Sequence, residues 1–214
     1  FKQLNDQVFR VVGNAYYNKT VDVYNEATQK NDSNLYKEAM RLAEEVVKIN
    51  TFSGDKTSTK DAYWIAGLSA EMVKDMKSVE KYYKILIRMN TEKERVYKTL
   101  FELYRSQNDT TKALTIATNY STKNRPDDFQ SHLLMANAYL WVGNMDKAKE
   151  SSNTAIEKVA GANDSVKGLV MCQIGNILND AKEFDLAKQY FDQALGLASA
   201  GNLVKFEANQ GLGI

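Results

Sequence analysis

Two residues stand out by type as candidates for nucleophilic or metal chemistry, the single histidine His132 and the single cysteine Cys172 of a 214-residue chain. A His/Cys zinc site needs several such ligands, and the chain holds one of each. A cysteine becomes a nucleophile only where a base or a positive field lowers its pKa, and no base stands beside Cys172 in sequence. It reads instead as a small side chain on the groove side of its helix. His132 falls on the buried-type stripe of a helix, where a packed or half-buried imidazole is the favoured account over a general base. The carboxylates Asp127 and Asp128 follow Pro126 and precede a helix, so capping and alignment with the helix dipole explain them better than acid/base catalysis. The glycines are scattered singly, with no phosphate-cradling loop and no Gly-x-Ser-x-Gly turn. The expectation is a non-enzymatic chain with no catalytic residue, no metal ligand and no cofactor.

Charge narrows the partners. The 28 basic and 27 acidic residues leave a formal net charge of +1, so no global field draws the protein to nucleic acid or to an anionic membrane. Lys77, Lys81, Lys84 and Arg88 fall on one helix face and could be drawn as a phosphate-binding stripe. A solvated outer wall is the stronger reading. No stretch reaches the twenty or so apolar residues that span a bilayer. One cysteine excludes an internal disulfide framework but suits reducing and oxidising compartments alike. The chain begins at Phe1, so an upstream signal or anchor is compatible with it, and its localisation stays open between the cytoplasm and export.

What must position these residues is a helical pattern that recurs. "HLLMANAYLWVGNMDKAKESSNTAI" begins at His132 and "MCQIGNILNDAKEFDLAKQYFDQAL" at Met171. Each places a small residue twelve before another, Ala136 with Ala148 and Gly175 with Ala187; Gly67 with Val79 and Phe101 with Ala113 repeat the spacing. Antiparallel helices approach closely only where side chains are small, and large ones then fill the flanks. The fillers here are Tyr83, Tyr104, Tyr139, Leu178 and Phe191. Turns are expected within "KNDSN" and at Lys74-Asp75, Asn108-Asp109, Gly143-Asn144 and Lys182-Glu183. The first segment suits one long helix bent near Gly13, with apolar residues at Leu4, Val8, Val11 and Ala15.

Small, aromatic, turn and small residues in this order resemble the tetratricopeptide repeat, best over residues 60 to 200. The resemblance implies an all-α fold, a right-handed superhelical solenoid of antiparallel hairpins with about eleven helices. We read one domain, 1–214, with units at 14–50, 60–91, 94–125, 129–163 and 168–200 and the start of another at 201–214. The register marks Ala39, Val79, Ala113, Ala148 and Ala187 are 40, 34, 35 and 39 residues apart. Longer connections are therefore expected within 50–60 and 159–168. Gly213 is taken to repeat Gly175, and a half unit at the end suggests a chain cut from a longer protein.

The same resemblance implies a concave groove lined by first helices. It carries Trp64, Leu68 and Glu71, then Lys98, Glu102 and Arg105, then Leu133, Asn137 and Trp141, then Cys172, Asn176 and Asn179. Asparagines can pair with a peptide backbone and tryptophans can anchor it. Capture of a C-terminal carboxylate is disfavoured, because one lysine and one amide do not offset its dehydration. The leading expectation is a scaffold that binds a protein or peptide segment. The alternatives are a sensory or regulatory segment of a larger enzyme or receptor, an RNA-binding helical-repeat module, and self-association through uncapped ends.

Overall fold

Five helix hairpins close through the same short turn, and its residues show why. At Asn31-Asp32, Lys74-Asp75, Asn108-Asp109, Gly143-Asn144 and Lys182-Glu183 the first residue takes a left-handed backbone, with φ between 50° and 74°. The amide of the second donates to a carbonyl five residues back, on Ala27, Ala70, Tyr104, Tyr139 and Leu178 in turn. That bond satisfies a carbonyl left open at the helix end. The second residue then starts the next helix. Side-chain oxygens of Asp32, Asp75, Asp109 and Asn144 accept from the amides of Asn34, Ser78, Lys112 and Lys147, whereas Glu183 makes no such bond. Asp75→Ala should therefore cost about 1 kcal/mol, read as a lower unfolding midpoint, while Glu183→Ala changes the midpoint little. Equal losses at the two sites would overturn this account of the caps.

The computed structural model describes residues 2–197, 199 and 201–213; residues 1, 198, 200 and 214, including the expected unit boundary at 200, lie outside it. Among the described residues the chain is all-helical, without strands. The helices are α1 Lys2–Lys30, α2 Ser33–Ser53, α3 Lys56–Met72, α4 Met76–Arg88, α5 Glu94–Ser106, α6 Thr110–Asn119, α7 Phe129–Trp141, α8 Met145–Lys158, α9 Asp164–Asp180, α10 Phe184–Leu195 and α11 Asn202–Leu212. A π-helical turn, Tyr120–Asn124, continues α6. The helices gather into two compact units, Phe1–Val96 and Tyr97–Ile214.

In the first unit α1 packs on α2, α2 on α3 and α3 on α4. The face of α1 that meets the core is Gly13, Thr20 and Ala27, all buried and seven residues apart. Gly13 is there for close approach, since a Cβ would lie 2.8 Å from Asn50 Oδ1. Of the apolar row expected on this helix, Val8 and Val11 are 53% and 70% exposed; the side chain of Leu4 lies outside the described residues. The connection between α2 and α3 is only Gly54-Asp55. Gly54, at φ 71°, ends α2, and Asp55 accepts from the amides of Thr57 and Ser58 to start α3. The extra residues of 50–60 are thus helical turns, not the longer connection expected. Further along, Gly67 admits the ring of Tyr83, which a Cβ would approach to 2.2 Å.

The second unit holds α6 to α11 and α5 from Tyr97 onward. Tyr97 and Tyr120 stack with ring centres 4.5 Å apart, and the π turn is closed by the Arg125 amide on Tyr120 O at 2.9 Å. α7 packs on α8, α9 on α10, and α11 on both α9 and α10. Ala136 and Ala148 are each only 1% exposed, as close packing of that pair requires. Phe191 is fully buried, and Cβ atoms added at Gly175 and Gly211 would come within 2.6 and 2.2 Å of its ring. The counterpart of Gly175 is therefore Gly211 and not Gly213, which ends α11 at φ 75°. Between α8 and α9 the chain needs only Val159 to Asn163, and the rest of the expected longer connection forms the first turn of α9.

Candidate functional site

Three helices of the second unit, α5, α7 and α9, offer side chains to one depression of about 330 Å3. Their spacing explains the meeting. Lys98 and Glu102 are one turn apart on α5, Gln130 and Asn137 two turns apart on α7, and Gln173, Asn176 and Ile177 share a face of α9. Leu133 and Leu134, 4% and 6% exposed, complete the lining with Ile177. Gln130 is held at the start of α7 because Asp128 caps that helix, its Oδ1 accepting from the Gln130 amide at 3.1 Å. Lys98 Nζ donates to Gln130 Oε1 at 3.3 Å. The depression thus joins an apolar floor to four carboxamides, one ammonium and one carboxylate.

Of the twelve residues expected along a groove, Lys98, Glu102, Leu133, Asn137 and Asn176 line this depression. Arg105 and Trp141 are half-buried and stand outside its lining. Cys172 corrects the expectation for its position. It is 1% exposed, its Sγ lies 3.8 Å from Val204 O, and burial, with the nearby Glu207 charge, pushes the thiol up to about 11. It belongs to the core beneath α11. Asn179 is likewise engaged, since its Nδ2 donates to Gly211 O at 2.9 Å and ties down the end of α11.

Trp64, Leu68 and Glu71 lie in the first unit. Trp64 stacks on Tyr83 at 6.0 Å between ring centres, with Lys93 Nζ 4.7 Å above its ring. Leu68 is half-buried. Glu71 accepts from the Tyr83 hydroxyl at 2.6 Å and from Arg95 Nε at 2.9 Å, and its side chain is only 12% exposed. Burial, and then the Glu71 carboxylate, hold the Tyr83 hydroxyl well above its ordinary pKa. Glu71 thus bridges Tyr83 and Arg95 within the first unit.

Gln130, Leu134, Gln173 and Ile177 were not expected at a site. The expected positions took one residue per helical turn, so they include Leu133, Asn137 and Asn176 but pass over the neighbours Leu134, Gln173 and Ile177 on the same faces and Gln130 one turn earlier. The signal that finds the two glutamines is the pairing of amides at helical spacing, Gln130 with Asn137 and Gln173 with Asn176.

The residues first suspected of chemistry have structural partners. A ring nitrogen of His132 lies 2.9 Å from Pro126 O, and Asp127 pairs with Lys158 at 2.8 Å. In the lysine row Lys81 pairs with Glu44 at 2.7 Å and Lys84 with Glu80 at 3.4 Å, so carboxylates interleave the stripe. Among the described residues no three His, Cys, Asp or Glu are grouped to hold a metal ion. No described helix is long and apolar enough to cross a membrane.

A run of antiparallel hairpins with a common turn, small residues at the crossings and rings seated on glycines defines a class, the helical-hairpin repeat proteins. Residues 170–200 match the tetratricopeptide repeat family, and the chain has the tetratricopeptide repeat fold. A thermophilic TPR protein of Thermus thermophilus is 15% identical, with 91% of this chain and 100% of that chain covered at a TM-score of 0.52. YrrB, a TPR protein with an unusual peptide-binding site, is 14% identical over 87% of this chain and 97% of its own at a TM-score of 0.50. At these identities the likeness speaks to fold alone. No curated protein matches the sequence.

Proposed function

We propose that the protein is a non-catalytic interaction scaffold whose α5–α7–α9 depression binds an extended peptide segment of a partner protein. The observation that carries this reading is the set of four carboxamides around a leucine and isoleucine floor. An extended peptide leaves its amides and carbonyls unpaired, and a carboxamide can both donate and accept. The floor takes an apolar side chain of the segment and removes it from water. That YrrB is described as having a peptide-binding site agrees with this reading without locating the site here.

Selection of a displayed library of random dodecapeptides on the purified protein tests it. Selected peptides should bind Asn137→Ala/Asn176→Ala roughly ten- to a hundredfold more weakly than wild type, for two hydrogen bonds of about 1 kcal/mol or somewhat more each. Both asparagines are on the surface side of their helices and outside the buried core, so the unfolding midpoint should hold. Failure to enrich any peptide, or equal binding by the double variant, would overturn the proposal.

A further inference from the structure

The two charges in the depression are not equivalent. Lys98 reaches from α5 to α7 and its ammonium is engaged with Gln130 Oε1 at 3.3 Å. Glu102, one turn further along α5, has a side chain that is 59% exposed, and its ion pair with Arg105 is 3.7 Å long, beyond hydrogen-bond distance. Its carboxylate is thus largely exposed beside the Arg105 guanidinium without a hydrogen bond to it, while the ammonium of Lys98, also exposed, reaches across to a neighbouring helix. The other polar groups of the lining are neutral amides. They can orient a backbone but do not choose a charge. Lys98 keeps its positive charge in that bond, but its ammonium is directed at Gln130, so Glu102, which makes no hydrogen bond to Arg105, is the charge offered to an incoming side chain.

Resting on the reading of this depression as a peptide site, we propose that Glu102 selects the ligand class: an uncapped internal segment that sets an apolar side chain on the Leu133, Leu134 and Ile177 floor and a lysine or arginine beside it against Glu102. Arginine fits best, because its planar fork can take both carboxylate oxygens. An acidic segment, or a C-terminus ending at this point, would bring a second carboxylate against the first and is disfavoured.

The test repeats the dodecapeptide selection on wild type, Glu102→Gln and Glu102→Lys. Wild type should enrich lysine or arginine at one position relative to the apolar anchor. Glu102→Gln should lose that enrichment, and Glu102→Lys should replace it with aspartate or glutamate. A single wild-type peptide should bind Glu102→Gln about two- to fivefold more weakly, the range of an exposed ion pair, and the difference should shrink as salt rises. Glu102 is solvent-exposed, so the variants keep the wild-type unfolding midpoint. If all three proteins select peptides that need Asn137 and Asn176 yet share one charge preference, the role of Glu102 falls and the peptide site stands. If no selected peptide depends on those asparagines, both readings fall together.

Discussion

Phe191→Ala should cost about 3–5 kcal/mol, the range for removing a buried phenylalanine ring, and the upper part of it is expected. The ring is fully buried and rests against Gly175 and Gly211, neither of which has a side chain that could relax into the space. A cavity that its surroundings cannot fill is the costly kind. The ring also joins α10 to α9 and α11, so the damage should be local. Hydrogen exchange should quicken first in α9, α10 and α11, because repeat hairpins are supported chiefly by their neighbours. A loss below about 1 kcal/mol, or uniform acceleration along the chain, would show that this ring does not carry the contact.

Gly67→Leu should cost about 3 kcal/mol, the upper end of the usual range for overpacking. The added side chain must enter space held by Tyr83, whose Cε1 would be 2.2 Å from the new Cβ. That ring cannot swing aside cheaply, for Trp64 stacks on it and its hydroxyl donates to Glu71. The small gain in helix propensity over glycine, about 1 kcal/mol, does not offset the clash. In a Tyr83→Ala background the same leucine should cost far less, a coupling that a double-mutant cycle measures by urea unfolding. An equal cost in both backgrounds would remove Tyr83 as the obstacle.

Much of this architecture was legible because close packing restricts residue types. Gly67 and Gly175 could be read from spacing as close-approach positions and Tyr83 and Phe191 as fillers beside them, but the spacing paired the glycines with Val79 and Ala187, and the structure seats the two rings directly on them. Gly211 was harder. It lies two residues from Gly213, and only the three-dimensional contact separates a glycine that admits a ring from one that ends a helix. The longer spacings looked like loops because spacing counts residues without saying whether they add helical turns. The candidate site was legible in part. Asn137, Asn176, Lys98 and Glu102 follow from the exposed face of first helices, but Cys172 and Asn179 face α11, whose docking depends on tertiary contacts outside their own helix. The partners of Glu71 are hidden for a similar reason: a charged residue on a first helix is indistinguishable in sequence from one already held by Tyr83 and Arg95.

The hairpin turns have a consequence for how far such a protein can drift. Asparagine, lysine and glycine all occupy the same left-handed position, so the shape is not dictated by glycine at that position; the amide-to-carbonyl bond across the helix end recurs whatever side chain stands there. A joint held by its main chain tolerates a change of letter without a change of angle. Likeness of fold therefore asks less of the letters than likeness of sequence does: residues 170–200 match the family pattern, while among the described residues five hairpins close through the same bond.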